Sequence, residues 1–133
     1  MNVRPALLDT SVFVARESGR PLDIDSIPEE TAVSVITIGE LQAGVLAAQD
    51  TSTRAKRLAT LEFANTAEPL PITAEVARCW AELRVKLAEQ RRRAKINDLW
   101  IAAVAQANGM AVATQDDDFD PIEAVGGPMV IRV

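Results

Sequence analysis

The chain reads as an α/β protein, a three-layer α/β/α domain with a central, mainly parallel sheet. Two observations predict the architecture. Strand-like and helix-like segments alternate along the whole sequence. Several strand-like segments are continuous apolar runs, as expected when helices cover both faces of a sheet. A third sets the scale: 133 residues is the length of one domain that buries its own core, so residues 1–133 are read as a single domain.

The elements follow in order. Pro5-Ala6-Leu7-Leu8-Asp9 reads as a short buried strand that begins a residue or two earlier. Thr10-Ser11 then offers a helix cap, and Val12-Phe13-Val14-Ala15 opens a short helix. From Glu17 to Glu30 the chain holds Gly19, Pro21 and Pro28, and reads as loop or irregular helix. Ala32-Val33-Ser34-Val35-Ile36 is β-branched and predicts a second strand. Thr37 to Ala48 reads as a helix with Ile38, Leu41 and Val45 on one face. Thr53 to about Asn65 reads as another, with Leu58 and Leu61 turned inward. Pro69-Leu70-Pro71-Ile72 is extended, and its prolines suit an edge or a strand start.

Val76, Trp80, Leu83 and Leu87 form one stripe of a long helix from Thr73 to about Gln90. Arg91-Arg92-Arg93-Ala94-Lys95 interrupts the pattern. Asn97 to Asn108 resumes it, with Asn97 as cap and Gly109 as stop; its apolar residues run nearly all round, which predicts a buried helix. Met110 to Thr114 is a strand, Gln115 to Asp120 an acidic loop, and Met129 to Val133 a last short strand. No repeat or low-complexity tract is present.

Composition narrows the chemistry. With 48% apolar and 25% charged residues the chain falls in the soluble globular class. No apolar run approaches the length of a membrane span, and the first residues lack the pattern of a signal peptide, so a cytoplasmic location is expected. The single cysteine, Cys79, can form neither an internal disulfide nor a cysteine zinc site, and beside Trp80 it reads as a small apolar residue. Histidine is absent, which removes the usual general base, the usual zinc ligand and the serine or cysteine triads. A net charge of −5 argues against binding nucleic acid by bulk charge. However, six of the fourteen basic residues lie between Arg84 and Lys95.

Four acids fall where such a sheet places its ligands, at the carboxyl ends of the strands. Asp9 ends the first strand, Glu40 lies in the first turn of the helix after the second, Asp98 opens the buried helix, and Asp116 follows the Met110–Thr114 strand. Four like charges brought together repel unless a cation joins them. Oxygen ligands alone favour Mg²⁺ or Mn²⁺ over zinc or copper. A divalent ion held by carboxylates activates water and stabilises phosphoryl charge, so hydrolysis of a phosphodiester is the chemistry expected. Helix N-termini should help to keep Glu40 and Asp98 ionised.

Each acid also has a purely architectural reading. Asp9 could cap the following helix, in competition with Thr10 and Ser11. Thr37-Ile38-Gly39-Glu40 matches a capping box. Asp98 could serve the helix dipole, and Asp116-Asp117-Asp118 could be a solvated loop. The basic run reads either as a solvated linker or as a phosphate-holding segment beside the site. Trp100 reads as core.

Four segments together resemble the motifs of PIN domains. They are Leu7-Leu8-Asp9-Thr10-Ser11-Val12-Phe13, Ser34-Val35-Ile36-Thr37-Ile38-Gly39-Glu40-Leu41, Asn97-Asp98-Leu99-Trp100-Ile101-Ala102-Ala103 and Thr114-Gln115-Asp116-Asp117-Asp118-Phe119. Their order, spacing and total length resemble the VapC toxins of type II (VapBC) toxin–antitoxin modules across essentially the whole chain. The resemblance implies a PIN-like α/β/α fold and an Mg²⁺-dependent endoribonuclease in which Mn²⁺ can substitute. It also implies a homodimer and a VapB-type antitoxin that covers the site with a C-terminal segment. It implies Asp9 and Asp98 as metal ligands, completed by Glu40 and Asp116, with Asp118 as a secondary candidate. It implies that Thr10 and Thr114 orient carboxylates or water through their hydroxyls. Arg91, Arg92, Arg93 and Lys95 are the candidates for RNA phosphates.

Asn97 occupies a variable position of its motif, and Asp117 adds an extra acid to the fourth. Two other classes fit parts of the pattern. A non-catalytic PIN-like module binding RNA or protein would have no reason to keep the four-acid repulsion. A phosphotransfer enzyme would use a strand-end aspartate, but Ser11 stands where the second aspartate of a D-x-D-x-T motif would be.

Overall fold

The computed structural model describes residues 4–133; a first strand starting as early as Val3 would lie outside them. Four strands, β1 (Ala6–Leu8), β2 (Thr31–Ala32), β3 (Ala111–Thr114) and β4 (Val130–Arg132), form one sheet in the order β2-β1-β3-β4. All three pairings are parallel, with Leu7 opposite both Ala32 and Val112. Side chains alternate across the sheet. Leu7 and Val112 face a core made by α4 (Ala74–Glu89), α5 (Ile96–Ala107) and α6 (Asp120–Ala124), whereas Ala6 and Ala113 face α1 (Thr10–Ser18). Both faces are covered, and the three-layer expectation holds. No helix of the described residues is long and apolar enough to cross a membrane.

Several boundaries differ from the sequence reading, each for a local reason. Asp9, rather than Thr10 or Ser11, caps α1, accepting from the Ser11 amide. The helix then runs past Ala15 to Ser18, because Gly19 adopts φ 75° and bonds back to the Ala15 and Arg16 carbonyls. The second strand ends at Ala32, not Ile36. Ser34 caps α2 (Val35–Ala47) by accepting from the Thr37 amide at 3.3 Å, so Val35 and Ile36 are helical despite their strand propensity. Glu40 is therefore the sixth residue of α2, beyond its first turn, and the Thr37–Glu40 capping box does not form. The Pro69–Ile72 segment behaves as an edge: the Leu70 amide donates to Val33 and its carbonyl accepts from Val35.

Helix α3 (Thr51–Ala64) starts at its cap Asp50 and buries Thr60, Leu61 and Ala64. Leu58, expected inside, is 42% exposed, because it is turned off the stripe that meets α1 and α2. The stripe of α4 is buried at Val76, Leu83 and Leu87 and half-buried at Trp80. Cys79 is half-buried against the same core. Helix α5 is closed to solvent over Ile101–Ala105, all 0% exposed, as its nearly continuous apolar pattern predicts. It starts at Ile96 with Lys95 in the cap position, so Asn97 is inside the helix and does not cap it. The acidic segment after β3 is shorter than expected, because Asp120 already begins α6, with Pro121 in its first turn.

The end of α4 carries strain. The Arg92 amide reaches the Leu87 carbonyl and the Arg91 amide the Ala88 carbonyl, which is a Schellman closure. Its left-handed residue is Arg91, at φ 55°, where glycine is usual. A side chain in that region costs roughly 1 kcal/mol. Arg91→Gly is therefore expected to stabilise the fold by about 0.5 kcal/mol, the relieved strain less the lower end of the roughly 0.4–1 kcal/mol that glycine's freer unfolded chain costs. An unchanged or lower urea midpoint would contradict this.

Candidate metal and catalytic site

Parallel strands put their carboxyl ends on one edge, and helices that return between them start on that edge. Residues after β1 and β3, together with the starts of α1 and α5, therefore meet there. The result is a cleft of about 300 Å³ lined by Asp9, Glu40, Asp98, Asp116 and Asp118, with Thr10, Lys95 and Arg20 at its walls. All four acids of the expected site, and Asp118, line this one cleft. Asp117 does not: it pairs with Arg132 on β4, and Asp120 lies 3.8 Å from the same guanidinium.

Asp9 is 2% exposed. The Thr114 hydroxyl, fully buried at the end of β3, donates to its Oδ2 at 3.0 Å, and the Ser11 amide donates to the same oxygen at 3.4 Å. Thr114 also accepts from the Asp116 amide at 3.0 Å and lies 3.2 Å from the Ser11 hydroxyl, which accepts from the Gln115 amide. One hydroxyl thus ties Asp9 on β1 to the turn that carries Asp116. Burial raises the Asp9 carboxyl above the ordinary range, hydrogen bonds from Ser11 and Thr114 oppose the rise, and the charge of Asp116 adds to it.

Glu40 is held at both oxygens. Thr10 donates to Oε1 at 2.7 Å, and the Asn97 amide donates to Oε2 at 3.3 Å. Thr10 has a single proton and spends it on Glu40, so Thr37, 3.0 Å away, donates to Thr10. The buried Thr37 is thus the back support of a Thr37–Thr10–Glu40 chain. Sequence reasoning missed Thr37 and Asn97 as members of the site and treated both as cap residues. Asn97 stands next to Asp98, and that adjacency was the one available signal.

Asp98 is the outlier. Its Oδ2 is buried and has no hydrogen-bond partner among the described residues. Desolvation lifts its carboxyl to about 7, with Asp9, Asp118 and Glu40 adding repulsion and Lys95 opposing it. In the metal-free fold, burial and three neighbouring carboxylates thus push the Asp98 carboxyl up despite its place in the first turn of α5. A buried carboxylate oxygen without a donor is costly unless a cation meets it. Among the described residues, no three acids are already drawn together around one point. The donor set is all oxygen, so these residues fit a hard divalent ion.

The basic run divides. Lys95 reaches Asp118 at 3.0 Å on the cleft wall. Arg91, Arg92 and Arg93 are exposed in the turn between α4 and α5. Trp100 stacks on Trp80, centroids 4.8 Å apart and 13° from parallel, which agrees with its reading as packing.

Comparison with known proteins agrees with this geometry. The PIN domain family model matches residues 6–124. The chain is 53% identical to Ribonuclease VapC5 of Mycobacterium tuberculosis over the full length of both, and 48% identical to Ribonuclease VapC4 of the same organism over 90% of this chain and 92% of that one. The structure superposes with a TM-score of 0.91 on a chain of the VapBC-5 toxin–antitoxin crystal structure from that bacterium. That match has 49% identity and covers 98% of this chain and all of the other. The chain belongs to the PIN-domain family and, within it, to the VapC proteins.

Proposed function

We propose that this chain is the toxin of a VapBC-type pair, an endoribonuclease that uses Mg²⁺, with Mn²⁺ as a substitute. The observation that carries the reading is the buried, unpartnered Asp98 oxygen in a cleft lined by four further carboxylates. Full-length similarity to proteins named VapC ribonucleases supports the activity, and the VapBC-5 complex supports a VapB-type antitoxin as partner. Action in the cytoplasm, as a homodimer, belongs to the same reading.

Asp9 and Asp98 would hold the ion directly. Glu40 and Asp116 would orient water beside it. When bound, the ion supplies Lewis-acid polarisation of a phosphoryl oxygen and makes water a stronger nucleophile at neutral pH. The protein's own residues do the positioning. Thr114 and Ser11 fix Asp9, Thr10 and Asn97 fix Glu40, and the Asp116 backbone is fixed through Thr114. Water's oxygen adds to phosphorus, the P–O3′ bond breaks, and the leaving 3′ oxygen takes up a proton. The products are a 5′-phosphate and a 3′-hydroxyl. With no histidine in the chain, a histidine-based route through a cyclic phosphate is excluded. Lys95 and the run Arg91, Arg92 and Arg93 would meet RNA phosphates.

The test is cleavage of total RNA with Mg²⁺ or Mn²⁺. Excess EDTA is expected to abolish it, and Asp9→Asn to lower it by roughly 10²-fold or more. Equal cleavage by the Asp9→Asn protein would sink the mechanism. A non-catalytic module would show no metal-dependent heat in calorimetric titration.

A further inference from the structure

Outside the acidic cleft lies a second hollow of about 380 Å³, lined by Trp80, Arg84, Leu87, Arg92, Arg93 and Ile96 among others. Three arginines and no carboxylate line it, in a chain of net charge −5. Its volume lies within the range of about 300–1,000 Å³ that holds a bound ligand. It is linked to the cleft through shared walls. Arg93 and Ala94 line both this hollow and a neighbouring one of about 350 Å³, and that neighbour shares Lys95 and Asp118 with the acidic cleft.

We propose that the Arg84–Arg92–Arg93 hollow is a subsite for single-stranded RNA, holding backbone phosphates of nucleotides flanking the scissile bond. The inference rests on the ribonuclease reading and specifies where the strand runs. The arginines match phosphate in charge and in donor geometry. The Trp80 ring already stacks on Trp100 and carries the Arg84 guanidinium 5.2 Å from its centroid, so the hollow's charge rather than ring stacking is the main handle for the strand. Arg84 is held over the ring at the hollow's wall. Leu87, Leu99 and the 70%-exposed Ile96 supply an apolar wall for ribose and base faces. Arg92 and Arg93 form no ion pair among the described residues. The strained φ 55° at Arg91 sets the direction in which the chain carries them away from α4. The RNA reading is favoured over an acidic protein segment by the shared walls, since any polynucleotide seated in the cleft must leave it along some such track.

The experiment measures binding of a fluorescein-labelled single-stranded RNA of about ten nucleotides to the full chain in EDTA, by anisotropy across a salt series. The variant is R84Q/R92Q/R93Q, which removes charge and keeps the side-chain stems. Its control is R4Q/K56Q/R78Q, which makes the same change in net charge elsewhere. The pocket variant is expected to bind about tenfold or more weakly, with a salt slope shallower by about 2, at roughly 0.7 per lost phosphate contact. KM for the same RNA with Mg²⁺ should rise in parallel. The control should change binding less than about twofold.

Wild-type affinity and slope in the pocket variant would overturn the subsite, as would an equal loss in the control. An oligoglutamate that binds tighter than RNA and depends on the three arginines would overturn it in favour of a protein partner. Pocket-dependent RNA binding without any metal-dependent cleavage would uphold the subsite and sink the ribonuclease reading instead.

Discussion

Asp98→Asn is expected to lower metal-dependent RNA cleavage by about two to four orders of magnitude while making the metal-free protein more stable at neutral pH. The first effect follows from losing a ligand whose bound ion contributes several kcal/mol to the transition state. The second follows from the Asp98 carboxyl standing at about 7 in the metal-free fold against 3.8 ordinarily. A raised carboxyl means that the folded state holds a proton the unfolded chain has lost. Its stabilising contribution is complete below about pH 4 and disappears as pH rises through about 7. Metal-free wild type should therefore lose stability across that window, and the Asp98→Asn substitution should remove this part of the loss. Solvent on the open side of the cleft screens the repulsion, so the gain at pH 7 is about 1–2 kcal/mol rather than the full shift. Saturating Mg²⁺ should reverse the order by stabilising only the wild type. Thermal melts at pH 4.5 and pH 7.5, with and without Mg²⁺, read all of this. An Asp98→Asn protein less stable than wild type at pH 7.5 in EDTA would contradict the electrostatic account.

Phe119→Ala is expected to cost about 3–5 kcal/mol, the range for truncating a buried phenylalanine. Phe119 is 1% exposed and packs in the core with α4, α5 and Ile122 of α6. It directly follows Asp116-Asp117-Asp118, so it anchors the turn that carries two of the cleft acids. The cost is a large share of the roughly 5–15 kcal/mol that holds a domain of this kind folded. Urea denaturation should show a lower midpoint, and calorimetry on the folded fraction should show weaker Mg²⁺ binding. A loss below about 1 kcal/mol would mean that the Asp117–Arg132 and Lys95–Asp118 pairs hold the turn without the ring. Such exposed pairs usually contribute too little for that.

Most of the fold was legible because its elements are periodic. The stripe of α4 and the nearly continuous apolar run of α5 required no tertiary knowledge. The second strand was misread because Val33, Val35 and Ile36 favour strands intrinsically, while Ser34 caps a helix at that point and Leu70 takes up the edge. Local propensity is a small effect per residue, and a cap with a packed helix face behind it outweighs that preference. Leu58 was misplaced for a related reason: hydrophobicity does not say which side of a helix its neighbours will cover.

The sequence by itself determined which acids lie at the carboxyl edge of the sheet. Asp9, Asp98 and Asp116 flank a strand end or open a helix, and parallel topology brings such positions to one edge. Glu40 lines the cleft from the sixth position of α2, not from the first turn that its sequence context suggested. Only the tertiary structure decided how the carboxylates are held. Thr114 joins Asp9 across 105 positions, Asn97 joins Glu40 across 57, and Thr37 supports Thr10 across 27. Hydrogen bonds between residues so far apart leave no periodic signal. Burial also depends on every element packed around a group, so neither the orphaned Asp98 oxygen nor its raised carboxyl can be read from Asp98 and its sequence neighbours alone.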